Sequence, residues 1–307
     1  MRQGKLATFL VSAALMVSMA AAAPGQAETI FAIQDGVNSG GVYTIDSTTG
    51  TLTQIGQLGV SVGNCCGFNS LALSSSGTMY TMNQSDGAHH LYTVDQTTGA
   101  VTLVAPSIIP ASDRHDGLAI DGSGNMFAIS RSGDLRSLNL ATGTSTLIGN
   151  VGIPNIGSSG GQFIQSLDFS PSGTLYTYSA DNTGAGGLYT IDPLTASATR
   201  IGPGNSGVVG ITSLSFASDG TLWASRCCGL GTRGLYTVDL TSGALTRQVG
   251  GFIGSGFPSG IQGIEFLPTP VPVPAAIWLF GSGLAAMVGL ARKKYREASF
   301  VKRSINE

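Results

Sequence analysis

Four residue pairs in this sequence have side chains that can bind metals, carry out redox chemistry or transfer protons. They are Cys65-Cys66, His89-His90, His115-Asp116 and Cys227-Cys228, and each cysteine pair is followed by a glycine. Imidazoles and thiolates are ligands of zinc and copper, and a histidine beside an aspartate can act as a base and an acid. These pairs are therefore the first candidates for a functional site.

A repeat of two alternating hairpins positions these pairs. One hairpin resembles Leu-Tyr-Thr-Val-Asp, a turn and a second strand, and it begins at Val42, Leu91, Leu135, Leu188 and Leu235. The other resembles Ser-Leu-Ala-Leu, a turn and Gly-Thr-Met-Tyr, and it begins at Ser70, Gly117, Ser166 and Ser213. Two hairpins make four strands, and a repeat of about 48 residues is typical of propeller blades. The sequence therefore predicts an all-β fold, a five-bladed β-propeller of four-stranded blades.

The two ends of the repeat array complement each other. Residues 29–33 match the second strand of the unit, so the array begins one strand late, and the missing first strand recurs at residues 263–267. A C-terminal strand that completes the first blade would close the ring and leave no open sheet edge. We therefore expect residues 28–267 to form one propeller with a split first blade.

The repeat also predicts where the four reactive pairs lie. Loops that enter first strands and loops between second and third strands open on the same face of a propeller. Cys65-Cys66 and His115-Asp116 precede first strands, whereas His89-His90 and Cys227-Cys228 lie between second and third strands. All four pairs are thus expected on one face, and we interpret His115 and Asp116 as a solvated loop pair.

The four cysteines, Cys65, Cys66, Cys227 and Cys228, have two interpretations. In an oxidising compartment an even number of cysteines predicts disulfides, either as vicinal bridges or as cross-links between the two loops. The alternative is a metal or redox site that combines them with the histidines. We expect disulfides.

Acidic residues at the repeated turns have a structural explanation. Asp46, Asp95, Asn139, Asp192 and Asp239 open the loop between third and fourth strands, and a glycine follows in most repeats. An Asx side chain can bond the backbone of such a turn, and glycine can adopt positive φ. We therefore assign these residues to turns.

The residues just before the first strands would form a ring at the mouth of the central channel. They are Asn69, Asp116, Gln165, Thr212 and Gln262. Glycosidases need at least two carboxylates, and this ring has one. The sequence also has no nucleophile elbow, phosphate loop or spaced zinc motif.

The charge of the propeller region excludes one class of partner. Residues 28–270 hold seven arginines, no lysine and fifteen aspartates or glutamates, hence a net charge of about −8. Such a domain is a poor partner for nucleic acid.

Both ends of the chain resemble targeting segments. Residues 1–27 have a basic start, an apolar run and a small-residue exit, the order of a signal peptide. Residues 268–274 are a Pro-rich linker. Residues 275–291 are a charge-free apolar stretch of about 17 residues, which we predict to be a transmembrane helix. Residues 292–307 are predicted to be a basic cytoplasmic tail.

The C-terminal segment resembles a known sorting signal. Val271, Pro272, Val273, Pro274 and Ala275, followed by an apolar helix and Arg-Lys-Lys, are similar to the PEP-CTERM signal in its VPxPA variety. The match covers about 25 residues, lacks a literal Pro-Glu-Pro, and is followed by further residues as far as Glu307. The resemblance implies recognition by an exosortase in a bacterium that makes exopolysaccharide.

We therefore expect an exported protein, first anchored in the membrane and then at the cell surface or in the extracellular matrix. Its propeller would be a non-catalytic binding or structural module without a cofactor or metal. Its expected partners are an exosortase-type enzyme, the membrane through the C-terminal helix, and an exopolysaccharide or other surface ligand. The alternative is a propeller hydrolase, or a metal or redox protein, that uses His89, His90, His115, Asp116 and the cysteine pairs.

Overall fold

The structure, a computed structural model, describes most of the predicted propeller. The described residues are 28–34, 40–60, 67–85, 87–110, 114–154, 156, 163–180, 186–203, 210–227, 233–251 and 261–267. The predicted signal peptide (1–27), linker (268–274), transmembrane helix (275–291) and tail (292–307) lie outside them. The described ranges contain no helix with the length and apolar character that crossing a bilayer requires.

The described residues form antiparallel strands arranged in five sheets. In chain order the strands are β1 (Ile30–Gln34), β2 (Gly41–Ile45), β3 (Leu52–Gln57), β4 (Ala72–Leu73), β5 (Met79–Ser85), β6 (Ala88–Val94), β7 (Val101–Pro110), β8 (His115–Ile120), β9 (Met126–Ser130), β10 (Asp134–Asn139), β11 (Thr144–Asn150), β12 (Phe163–Ile164), β13 (Asp168–Phe169), β14 (Leu175–Ala180), β15 (Gly187–Ile191), β16 (Ala198–Ile201), β17 (Ile211–Phe216), β18 (Leu222–Arg226), β19 (Gly234–Val238), β20 (Leu245–Gly250) and β21 (Ile261–Phe266).

Each sheet is one blade of a propeller. Blade 1 has the order β21-β1-β2-β3, blade 2 the order β4-β5-β6-β7, blade 3 the order β8-β9-β10-β11, and blade 5 the order β17-β18-β19-β20. In blade 4 the first strand consists of two short segments, β12 and β13, which both pair with β14. The prediction of an all-β propeller with five four-stranded blades is confirmed.

The split first blade closes the ring as the repeat predicted. β1 pairs with β2 on one side and with β21 on the other, and Ile30 lies opposite Phe266. Blade 1 therefore takes strands from both ends of the propeller, which joins residues more than two hundred positions apart.

Apolar side chains between the blades hold the ring together. The alternation of a strand sends Ile30 and Ala32 toward blade 5, and Phe31 and Ile33 toward blade 2. Five buried apolar clusters result, and each lies between two consecutive blades. A fully buried side chain such as Ile33 contributes about 2 kcal/mol, so the closure of the ring rests mainly on this packing.

The repeated Asx residues form the predicted turns. Asp46 Oδ1 accepts hydrogen bonds from the backbone N–H groups of Thr48 and Thr49, both at 2.8 Å. Asp95, Asn139 and Asp239 accept the equivalent pairs. The Thr97 hydroxyl and the turn N–H groups lower the pKa of Asp95 to about 2. Asp192 accepts one such bond, from Leu194 N at 2.9 Å, so the assignment of these five Asx residues to turns is confirmed.

The first strands leave one edge free toward the channel, and side chains of the preceding blade bond to that edge. Phe216 N donates to Asp168 Oδ2 at 2.7 Å, which links blade 5 to blade 4. Phe266 N donates to Ser215 Oγ at 3.1 Å, which links blade 1 to blade 5. Asp168 and Ser215 occupy the same position of the repeat, so side chains at this position accept hydrogen bonds from the first strand of the next blade.

Candidate functional site

A buried carboxylate, Asp116, joins three blades where their first strands begin. Its Oδ1 accepts hydrogen bonds from Asn69 Nδ2 at 3.0 Å and from Arg114 Nε at 2.8 Å. Its Oδ2 accepts from Gln165 Nε2 at 3.1 Å and from Arg131 Nε. We call Asn69, Arg114, Asp116, Arg131 and Gln165 the mouth cluster. Three of the five residues predicted to ring the channel mouth are thus directly bonded.

The two arginines of the mouth cluster are brought together by one hairpin. Arg114 immediately precedes β8 and Arg131 immediately follows β9, and Arg131 N donates to the Arg114 carbonyl at 2.7 Å. Their side chains are 22% and 24% exposed, whereas that of Asp116 is fully buried. Two guanidinium groups and one carboxylate leave a net charge of about +1 at this end of the first strands.

This arrangement corrects the interpretation of His115 and Asp116 as a solvated loop pair. Both residues are in β8, and their exposed fractions are 2% and 0%. Burial of a carboxylate is costly unless its charge is compensated, and the two guanidinium groups provide that compensation. Because each oxygen of Asp116 already accepts two hydrogen bonds, the carboxylate is held as a structural anion between blades.

The other two predicted ring residues lie apart from the mouth cluster. Thr212 is in β17 and is buried, and its Oγ1 donates to the Ile261 carbonyl at 2.7 Å. Gln262 is in β21 and is half-buried. Among the described residues, no side-chain hydrogen bond joins Thr212 or Gln262 to Asn69, Asp116 or Gln165.

The first two histidines lie in a strand, which corrects their predicted loop position. His89 and His90 belong to β6 because the hairpin of β5 and β6 extends almost to its tip. His89 is fully buried, and its Nε2 accepts a hydrogen bond from His115 N at 3.0 Å. The rings of His89 and His115 meet edge to face, with 5.1 Å between their centroids. Burial, with a contribution from His115, lowers the pKa of His89 to about 4.

The hydrogen bonds of these histidines decide their tautomers. A backbone N–H can only donate, so His89 Nε2 and His90 Nδ1 are both unprotonated acceptors. His90 Nε2 then donates to the Ser85 carbonyl at 3.2 Å. The lone pair that each neutral ring could give to a metal is therefore already used by the backbone. The described part of the chain has no group of three or more His, Cys, Asp or Glu side chains that could hold a metal ion.

Only one cysteine lies among the described residues. Cys227 directly follows β18, is 4% exposed, and takes part in a disulfide bond. Its backbone N–H donates to the Gly210 carbonyl at 2.9 Å. Cys65, Cys66 and Cys228 lie outside the described residues, so the pairing of all four cysteines and their common face with the histidines stay predictions.

A second set of acids lies deeper along the first strands. Asp168 is in β13 and Glu265 is in β21, three residues beyond Gln165 and Gln262 and hence about 10 Å further along their strands. Both are half-buried. Asp168 accepts hydrogen bonds from Phe169 N at 2.8 Å and from Phe216 N at 2.7 Å.

Burial perturbs the acidity of both groups. It raises the pKa of Asp168 to about 7, although the N–H groups of Phe216 and Phe169 act in the opposite direction. Burial also raises the pKa of Glu265 well above its ordinary value, and the nearby charge of Asp168 raises it further. Burial thus disfavours the ionised form of both carboxyl groups, and the pKa of Asp168 places its titration close to neutral pH.

Asp168 and Glu265 are not among the residues predicted for a site, although the sequence carries a signal for them. They occupy the third position of the first-strand motif, where the other blades have Ala72, Ala119 and Ser215. An acid at a position that is otherwise small and buried is unusual. The ring that we considered instead, at the start of the same strands, contains only one acid.

Comparisons with known proteins place the repeat but not a function. Residues 20–167 match a family described as a repeat of unknown function, DUF6923. No curated protein matches the chain.

Solved structures resemble it at low sequence identity. A protein of unknown function from Bacteroides thetaiotaomicron VPI-5482 is 16% identical, with a TM-score of 0.47, 73% of this chain and 58% of that chain covered. A protein of unknown function from Bacteroides caccae is 12% identical, with a TM-score of 0.49; the match covers 80% of this chain and 100% of that chain. A putative 6-phosphogluconolactonase from Bacteroides uniformis ATCC 8492 is 12% identical, with a TM-score of 0.43; the match covers 80% of this chain and 72% of that chain.

Proposed function

We propose that this protein is exported and sorted to the cell surface or extracellular matrix, where its propeller is a non-catalytic binding module. The observation that carries the binding role is the state of Asp116, the one acid of the mouth ring. Each of its oxygens accepts two hydrogen bonds from protein groups. A general acid or base needs a free oxygen directed at the substrate, whereas this carboxylate orients two partly exposed arginines.

The sorting half of the proposal is supported by the sequence. The signal-like residues 1–27, the Val271-Pro272-Val273-Pro274-Ala275 motif, the apolar residues 275–291 and the following basic residues occur in the order of an exosortase substrate. An apolar stretch of about 17 residues is at the short limit for a permanent anchor. Processing near Ala275 would release the propeller from the membrane.

Mass spectrometry of the C-terminus in surface and membrane fractions tests this half. Wild-type protein in the surface fraction is expected to end near residues 271–275. The double variant Pro272→Ala/Pro274→Ala should stay in the membrane at full length, whereas Pro268→Ala/Pro270→Ala, outside the motif, should be processed normally. Surface protein that still ends at Glu307 would refute the sorting proposal.

A hydrolase is the second candidate, because one observation favours it. Asp168 and Glu265 are neighbouring acids whose pKa values are raised by burial, that of Asp168 to about 7, and carboxyl groups perturbed in this way can serve as acids and bases. Turnover of glycosides or lactones by wild-type protein, lost in both Asp168→Asn and Glu265→Gln but kept in Asp116→Asn, would replace the non-catalytic proposal.

A further inference from the structure

We propose that the mouth cluster binds a single oxyanion group, a carboxylate or a phosphate, carried by a small ligand at the guanidinium groups of Arg131 and Arg114. The inference rests on the proposed binding role and names the chemistry of its ligand.

The hydrogen bonds of Arg131 leave its binding edge available. Arg131 contacts Asp116 through Nε alone, not through the two-bond fork that an arginine usually makes with a carboxylate. In the described part of the chain, its Nη groups have no protein acceptor. The side chain is 24% exposed, so these N–H donors are accessible at the surface.

The position of Arg131 is also defined before any ligand binds. Its guanidinium carbon lies 5.1 Å from the centre of the Phe163 ring, and its Nε is held by a fully buried carboxylate. Arg114 is held in the same way, since its Nε donates to Asp116 and its Nη2 donates to Asn69 Oδ1 at 3.1 Å. Donors that are already oriented lose little entropy on binding, which favours affinity.

The charge balance indicates an anion, and only one. A single guanidinium would neutralise Asp116, so the second arginine leaves a charge of about +1 in a partly desolvated place. An oxyanion would compensate this charge. The surrounding propeller carries about −8, and two of its seven arginines are in this cluster. Extended polyanions would be repelled by the rest of the surface, whereas a small monoanion would be repelled much less.

Calorimetric titration of the full-length protein at low ionic strength tests the inference. Glucuronate, inorganic phosphate and neutral glucose are the probes, and they separate a sugar carboxylate from a free phosphate and from the sugar ring alone. We expect saturable binding of glucuronate, phosphate or both, weakened by added salt, and no binding of glucose. The absence of saturable binding by both anions would overturn the inference.

Three variants make the test specific. Arg131→Met should weaken anion binding at least about tenfold. Arg247→Met is the matched control, because Arg247 is exposed on β20 and donates to the Arg233 carbonyl at 2.9 Å; its binding should equal that of wild type. Arg131→Lys keeps the positive charge but replaces the planar row of N–H donors with one ammonium group, so it should bind anions more weakly than wild type.

The outcomes separate this inference from the proposed function. Wild-type affinity in Arg131→Met, or wild-type affinity in a folded Arg131→Lys, would overturn the anion site. If Arg131→Met does not fold, the Arg131→Lys result decides alone. A protein that is processed at its C-terminus yet binds no anion would retain the sorting proposal and lose only this ligand class.

Discussion

Replacement of Glu265 by glutamine is expected to stabilise the propeller by an amount that grows with pH. Burial and the charge of Asp168 hold the pKa of Glu265 above its ordinary value of 4.5. Between pH 4.5 and that raised pKa, the folded state keeps a proton that the unfolded state has lost. Wild-type stability therefore falls as pH rises, by about 1.4 kcal/mol for each pH unit. Glutamine has no such proton, so the variant avoids the loss.

The magnitude follows directly from this linkage. The variant should gain at most about 1.4 kcal/mol over wild type at pH 5.5 and more at pH 6.5. The half-exposed position of Glu265 reduces these values. Urea unfolding followed by circular dichroism from pH 5 to pH 8 would measure the difference. The contribution of His89 is present in both proteins and cancels to first order.

The matched control is Glu28→Gln, at the other glutamate of the propeller. Glu28 accepts a hydrogen bond from Ser218 N at 3.1 Å in an exposed position. Its variant should show no stabilisation that grows with pH. A Glu265→Gln stabilisation that is independent of pH, or a destabilisation at pH 7, would refute the raised pKa of Glu265.

Three further changes test the packing and the buried network. Gly56→Ala should lower the free energy of unfolding by about 3 kcal/mol or more, because its Cβ would lie 1.8 Å from the Thr98 carbonyl oxygen. The control Gly77→Ala, at a φ of 83° but with no atom within 4 Å, should lower it by about 1 kcal/mol. Equal losses in chemical unfolding would contradict a backbone clash at Gly56. Asp116→Ala should cost about 3 kcal/mol because it removes the shared acceptor of four donors in three blades, and a loss below about 1 kcal/mol would mean that the network is not stabilising. Between pH 6.5 and pH 4 wild type should lose up to about 3 kcal/mol more stability than His89→Gln. The reason is that the lowered pKa of His89 keeps the folded state from taking up a proton that the unfolded state accepts. Parallel pH profiles of the two proteins would contradict this reason.

The fold was predictable because it depends on local patterns that repeat. Alternating apolar residues, turn glycines and the Asx residue of each hairpin define strands within a few residues of chain. Five copies of the unit, with one strand displaced from the beginning to the end, predicted both the number of blades and the pairing of residues 29–33 with 263–267. The structure confirms both features through the pairing of β1 with β21.

The candidate site was predictable only as positions. The repeat placed Asn69, Asp116 and Gln165 at equivalent points of three blades. It did not show that Arg114 and Arg131 turn inward to meet Asp116, since arginines beside loops are usually solvated. Because this compensation was not visible, His115 and Asp116 were wrongly interpreted as a solvated pair.

The sequence by itself determined the strands, the turns, the number of blades and the manner of closure, because each of these follows from local propensity and from a period. The tertiary structure alone decided which polar groups meet. The decisive hydrogen bonds join residues about one repeat apart, 47 positions from Asn69 to Asp116 and 48 from Asp168 to Phe216. Whether such residues touch depends on the angle and distance between neighbouring blades, and so do the burial and charge that set the acidity of Asp168, Glu265 and His89.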